Sequence, residues 1–367
     1  MRILMTTDTI GGVWTFTEEL ARGLLARGCA ICLVSIGDPP TQSRLQWCDQ
    51  MRSQWKDRFR YERIAAPLEW MSNNQDAYDA AASSLLHFAK DFDADLIHSN
   101  QFCFGALPLD VPKIVTAHSD VFSWAQACRG ETLHPSDWLL RYTALVTRGM
   151  TGANSIVAPT YWMANSLAAN FPLSNQPSVI PNGRTLPASP ISARKYQAVT
   201  AGRLWDEAKN ISLLARVHCS TPLLIAGESK YDGAAIGPLP DNLTMLGALD
   251  PPELFTLFRN SALYICTSRY EPFGLAPLEA ALCGCAVLAY DIPSLREVWQ
   301  EAALYFDSAE SLASLISQLE SDPHLLAAAQ QRSSARAHLF SAERMVDSYY
   351  DFFQQALAPR EDAAYAA

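Results

Sequence analysis

The chain has no surplus of basic residues. Its 28 Lys and Arg stand against 38 Asp and Glu, for a net charge of −10 over 367 residues. That balance speaks against nucleic acid as the main partner, because phosphate contacts draw on a cation surplus. A local basic pocket for a small anion is still allowed. Long apolar runs are lacking too. Met1-Arg2-Ile3-Leu4-Met5 is too short for the hydrophobic region of a signal peptide and soon meets Asp8, so a cytoplasmic location is expected. No charge falls between Arg148 and Arg184, but Pro159, Pro172, Pro177 and Pro181 interrupt the stretch. A spanning helix needs ~20 mainly apolar residues, so contact with a membrane is allowed and crossing is not. The nine cysteines are odd in number and irregularly spaced, which fits reduced thiols. Cys29-Ala30-Ile31-Cys32 has no second pair at zinc spacing and lies in an expected strand, so two small buried residues are the plainer reading.

What is present is a chain that is 49% hydrophobic and long enough for two domains. Short apolar runs alternate with helical periodicity. Ile3 to Thr6 reads as a strand, and Gly11-Gly12 opens a helix with Val13, Phe16, Leu20 and Leu24 on one face. Strands are expected at 95–98, 113–117, 155–158 and 178–181, and helices near 76–91, 136–150 and 160–170. The segment from Arg184 to Lys195, with Pro187 and Pro190, reads as a linker. The pattern restarts with strands at 196–201, 223–226, 243–246, 262–266 and 286–290. Helices are expected at 210–218, 251–259 and 275–283 and from 308 onward. The tail after 358 reads as frayed. The fold class is α/β, with doubly wound parallel sheets in two halves facing a cleft. Domains are expected at 1–185 and 186–340. In such sheets ligands sit beyond the carboxyl ends of strands.

Two segments follow strands and carry chemistry. In Thr267-Ser268-Arg269-Tyr270-Glu271-Pro272-Phe273-Gly274-Leu275-Ala276-Pro277-Leu278-Glu279, Pro272 holds Glu271 extended. Gly274 permits close approach or caps a helix, and Pro277 falls in the first helical turn. The free amides at Leu275 then form an anion site suited to a diphosphate. Glu279, about a turn further, can accept hydrogen bonds from a sugar diol. In Ala201-Gly202-Arg203-Leu204-Trp205-Asp206-Glu207-Ala208-Lys209-Asn210, Arg203 and Lys209 can meet the charge that develops on a leaving diphosphate.

These residues resemble the donor site of the retaining glycosyltransferases of family 4, of the GT-B fold. The likeness covers nearly the whole chain and includes Gly11-Gly12, Thr116-Ala117-His118 and Pro181-Asn182-Gly183. It implies a metal-independent transfer of a sugar from a nucleotide-diphosphate sugar to a hydroxyl of a carbohydrate, lipid-linked or small-molecule acceptor with retention, with no cofactor. UDP is the first expectation, then GDP or ADP. It implies that Arg203 and Lys209 neutralise the diphosphate, Glu279 holds the ribose, and Glu271 contacts the donor sugar at the reacting centre. Gly274 and Leu275 would bind phosphate or sugar through their amides. His118 would contact the sugar or support the transition state, and Gly12 would admit the diphosphate and acceptor. The final helix, about 341–357, would cross back onto the first domain. One departure is the interval from Arg203 to Lys209, six residues where the family usually has five.

Other positions carry weaker expectations. Glu228 can line the nucleotide pocket. Asp8 and Asp120 lie near strand ends without an assigned role. The stretch 51–63, with Arg52, Lys56, Arg58, Arg60 and Arg63 among aromatics, fits either a membrane-facing surface for a lipid-linked acceptor or, more plainly, an edge strand with a solvated face. The tryptophans can stack on acceptor sugars, although core packing is commoner. Two rival functions stand beside the transferase: a nucleotide-sugar epimerase of the same architecture, and a non-catalytic nucleotide-sugar-binding partner subunit.

Overall fold

A computed structural model describes residues 1–71, 75–131, 133–186, 194–228 and 243–358. The linker reading falls largely on 187–193 and the frayed tail on 359–367, both outside the described residues. The first half carries seven strands: β1 (Arg2–Asp8), β2 (Ala30–Ile36), β3 (Phe59–Ile64), β4 (Leu96–Ser99), β5 (Lys113–Thr116), β6 (Ser155–Ala158) and β7 (Ser178–Val179). They form one sheet in the order β3-β2-β1-β4-β5-β6-β7, with every pairing parallel. The order reverses at β1, so β1 and β4 open a crevice at their carboxyl ends. Among the described residues of this half there are six α-helices: α1 (Gly12–Ala26), α2 (Gln42–Trp55), α3 (Gln75–Asp91), α4 (Val121–Arg129), α5 (Asp137–Gly152) and α6 (Tyr161–Asn170).

The second half repeats the design with β8 (Lys195–Ala201), β9 (Leu223–Ala226), β10 (Leu243–Gly247), β11 (Ser261–Cys266), β12 (Ala286–Tyr290) and β13 (Leu304–Phe306) in the parallel order β10-β9-β8-β11-β12-β13. Its helices are α7 (Pro251–Arg259), α8 (Leu275–Leu282), α9 (Pro293–Trp299), α10 (Ala309–Ser321) and α11 (Pro323–Ala337). Central strands such as β2 and β11 are buried along their whole length, as parallel strands covered on both faces must be.

The expected helix at 210–218 is instead a 3₁₀ helix over Ile211–Arg216. Asn210 turns the chain in the left-handed conformation (φ 49°), and its side chain bonds the Thr267 carbonyl at 3.2 Å. The short segment that follows winds tightly instead of opening into a full α-helix.

The last helix, α12 (Ala342–Leu357), returns to the first half. Its Val346, Tyr349 and Phe353 enter the core formed by α1 and β1. Gly23 makes this contact possible, since a Cβ there would stand 2.4 Å from a Val346 methyl. Inside the core, the Tyr349 hydroxyl meets the Thr116 hydroxyl at 3.0 Å. The two halves also touch elsewhere. Glu297 of α9 accepts the Tyr161 and Trp162 amides at 2.7 and 2.8 Å, a carboxylate at the positive end of α6.

The stretch 51–63 forms the end of α2 and the edge strand β3. Arg60 pairs with Glu62 and Asp91, Arg52 with Asp49, and Arg58 donates to the Leu25 carbonyl beneath Trp55. Its arginines are therefore engaged within the chain. Cys29 and Cys32 are buried free thiols, and burial raises that of Cys32 to about 12. No described helix is long and apolar enough to cross a membrane.

Candidate active site

The carboxyl ends of the two sheets face each other across a cleft. A cavity of about 430 Å³ there is lined by Gly11, Gly12, His118, Arg203, Lys209, Glu271, Gly274, Leu275 and Glu279. Eight of the nine residues expected at the site from sequence are thus together. Glu228 stands exposed at the end of β9 and does not line this cavity; its carbonyl accepts the Leu204 amide at 3.0 Å.

Both glycine-led turns are forced by space. Gly11 has φ +71°, and a Cβ there would come within 2.1 Å of an Arg203 guanidinium nitrogen. Gly274 has φ +93° and precedes α8, whose N-terminus carries no side-chain cap. By contrast α4, α5 and α6 are capped by Asp120, Ser136 and Thr160. The first amides of α8 are left for an anionic ligand. Gly12 meets this helix closely, as a Cβ on it would lie 3.2 Å from Leu275 Cδ1.

The cations are braced by acids. Arg203 pairs with Asp206 at 2.7 Å. Burial alone would raise the Asp206 carboxyl, but Arg203 and the Ala208 amide outweigh it and hold it below the usual carboxylate value. Lys209 Nζ donates to Glu271 Oε2 at 2.5 Å, and Ser268 Oγ donates to the same oxygen at 3.1 Å. The longer Arg203–Lys209 interval closes because Asp206 accepts the Ala208 amide at 3.0 Å, and Thr267 Oγ donates to the Lys209 carbonyl at 2.6 Å.

Glu279 is nearly enclosed, and its partner is Arg184. The Arg184 guanidinium donates to Glu279 at 2.6 Å and also to Glu19 of α1. Burial raises the Glu279 carboxyl, and Arg184 opposes the rise. His118 shares a hydrogen bond of 2.7 Å with Asn100 Oδ1. Burial lowers it to about 4, so it is neutral at pH 7. Asn100 is itself anchored on the Thr6 carbonyl at 2.6 Å.

Sequence reasoning missed Asp206, Arg184, Glu19 and Asn100. Only Asp206 left a local signal, three residues after Arg203. Arg184, Glu19 and Glu279 meet across 95 or more residues of chain, and Asn100 meets His118 across 18. Among the described residues no group of His, Cys, Asp or Glu gathers as metal ligands.

Two family models match the chain in succession: Glycosyltransferase Family 4 over residues 10–186 and Glycosyl transferases group 1 over 188–337. The chain belongs to the family 4 glycosyltransferases. A glycogen synthase of Mycobacterium tuberculosis is 26% identical over 252 residues, which cover 62% of this chain and 58% of that enzyme. The chain thus spans little more than half the length of that family 4 relative. Two solved structures share the fold at low identity. Sucrose-phosphate synthase from Thermosynechococcus elongatus has a TM-score of 0.77 at 18% identity, covering 98% of this chain and 99% of that one. HepE of Anabaena, in complex with UDP and glucose, has a TM-score of 0.72 at 18% identity, covering 97% and 100%. The fold of this family 4 chain is GT-B.

Proposed function

We propose that the protein transfers a hexose from a nucleotide-diphosphate sugar to an acceptor hydroxyl with retention of configuration and without a metal. UDP is the proposed nucleotide. The observation that carries the reading is the convergence of Arg203, Lys209, Glu271 and the uncapped α8 N-terminus on one cavity. The presence of UDP and glucose in the HepE structure favours UDP.

In this mechanism the diphosphate lies against the α8 amides, Arg203 and Lys209. As the bond from the anomeric carbon to the diphosphate oxygen breaks, negative charge grows on the leaving group. Fixed cations and amides meet it where it develops, with little reorganisation. The acceptor oxygen attacks from the same face inside the ion pair, and its proton passes to the leaving phosphate. Lys209 changes partners here, from Glu271 alone to Glu271 and phosphate. Glu271 orients the donor sugar, Glu279 the ribose, and neutral His118 offers a hydrogen bond without adding charge. Glu228 is proposed at the outer edge of the nucleotide site.

Incubation with UDP-glucose and an acceptor panel, in EDTA, tests the reading. A product with the donor's anomeric configuration is expected. Conversion of donor alone to an epimer would favour an epimerase, and nucleotide binding with no turnover would favour a partner subunit.

A further inference from the structure

A second cavity, of about 370 Å³, adjoins the donor cleft. The two share Ile10, Val13, His118, Ser119, Trp124, Arg203 and Asp206 in their walls, so a ligand in one reaches the reaction centre in the other. Trp70, Trp124, Trp138 and Trp205 line this second space, with Tyr142 stacked on Trp138 at 5.8 Å. Trp70 is 39% exposed, unusual for so large an apolar side chain.

The polar groups of the wall have a definite sign. Among the described residues of the wall, Asp8, Glu69, Asp120 and Asp206 face a single cation, Arg203, which is already paired with Asp206. His118 is neutral at pH 7. Arg44, the other cation near Asp8, is outside the wall and donates to the Thr9 carbonyl at 2.6 Å. Glu69 and Asp120 are committed to the chain: Glu69 accepts the Phe102 and Cys103 amides, and Asp120 caps α4. Asp8 Oδ1 accepts the Ile10 amide at 2.9 Å. Gln101 is only 4% exposed, and neither its amide oxygen nor its amide nitrogen has a partner. Such a group, unpaired away from water, is costly unless a ligand completes it.

From this we infer that the cavity is an acceptor site for an uncharged sugar and excludes the phosphorylated form of the same sugar. This rests on the transferase reading above. The indoles fit the apolar C–H face of a sugar ring. The Gln101 amide, both donor and acceptor, matches a hydroxyl, which is also both. A phosphate brought into the space would meet excess carboxylate charge in a setting where water screens poorly. A phenolic acceptor would satisfy the indoles but leave most of the polar wall unmatched.

The test is a tryptophan-fluorescence titration, with and without saturating UDP. It uses matched pairs: glucose with glucose 6-phosphate, mannose with mannose 6-phosphate, and fructose with fructose 6-phosphate. Phenol serves as the aromatic probe. At least one neutral sugar is expected to bind, with its phosphate at least tenfold weaker. Gln101→Met, of similar size and apolar, should keep or raise the melting temperature while weakening that sugar at least tenfold. A merely structural glutamine would give the first result without the second. Equal or tighter binding of a sugar phosphate, tighter binding of phenol, undiminished sugar binding by Gln101→Met, or binding of no sugar would each overturn the inference. Stabilisation by UDP, measured separately, reports the donor side. Sugars that fail while UDP binds refute the acceptor inference alone, and sugars that bind while UDP fails refute the donor reading alone.

Discussion

Lys209 and Glu271 form one ion pair at the donor cleft, Nζ to Oε2 at 2.5 Å, although 62 residues separate them. The pair holds a cation where the diphosphate is proposed to lie and a carboxylate where the sugar is proposed to lie. Each neutralises the other until substrate arrives. Lys209→Ala, Glu271→Gln and Arg203→Ala should each lower kcat by roughly 10²-fold or more. Steady-state kinetics on folded variants is the check, and full activity in Arg203→Ala would contradict the phosphate role.

Gly11→Ala tests the close approach of the two halves. The new Cβ would strike the Arg203 guanidinium and sit at φ +71° and ψ −147°, backbone that glycine alone adopts readily, a strain of about 1–3 kcal/mol. Loss of stability of that order is expected, together with a fall in kcat larger than stability explains. Gly28→Ala is the control. Gly28 also has positive φ, but nothing stands within 4 Å of its Cβ position, so activity should persist.

Arg184→Ala should destabilise strongly. It strips the partner from Glu19 and Glu279, both 7% exposed. Breaking such a buried pair typically costs about 3–5 kcal/mol. Denaturant midpoints measure this, and Arg184→Ala together with Glu19→Gln should recover part of the loss.

Acid should weaken the fold through two histidines. Burial lowers His98 from 6.5 to about 3, with neighbouring His118 adding to it, and burial lowers His118 to about 4. The unfolded chain therefore takes up protons near pH 6.5 and the folded one does not. Stability is present above 6.5 and drains as pH falls toward 4. Asp8 has the opposite sign. Burial raises it from 3.8 to about 6 against the Ile10 amide and Arg203, so its contribution is present below 3.8 and is lost as pH rises through 6. Asp8→Asn should then stabilise the protein more at pH 7 than at pH 4, by at most about 3 kcal/mol. Urea unfolding at both pH values checks the sign.

Much of the donor site was legible because its parts are local. The strand ending at Cys266, the extended Glu271-Pro272, the turn at Gly274 and the helix to Glu279 lie within one short run, where propensity and capping act directly. The partners of those residues were not. Arg184 meets Glu19 and Glu279 only after two separate sheets have formed, and no spacing encodes that. Gln101 looks like any loop glutamine until burial leaves its amide without a partner. Among the elements, β13 escaped because three residues carry too little period to read. The 210–218 segment has helical composition, but Asn210 at its start is turned and tied to Thr267, and the helix that follows is 3₁₀. The tryptophans divide by place: Trp14 and Trp47 pack in the core, as their commoner use suggests, and Trp70, Trp124 and Trp138 line a cavity.

The central claim is that Arg203, Lys209 and the α8 N-terminus hold a nucleoside diphosphate. Thermal unfolding with UDP, GDP and ADP, each with and without EDTA, in the wild type and in Arg203→Ala, tests it most directly. A ligand at 100 times its Kd adds about 2.7 kcal/mol to the folded state. The account predicts a clear upward shift with UDP that EDTA leaves unchanged and Arg203→Ala abolishes. No shift with any nucleotide, or one that survives in Arg203→Ala, would contradict it.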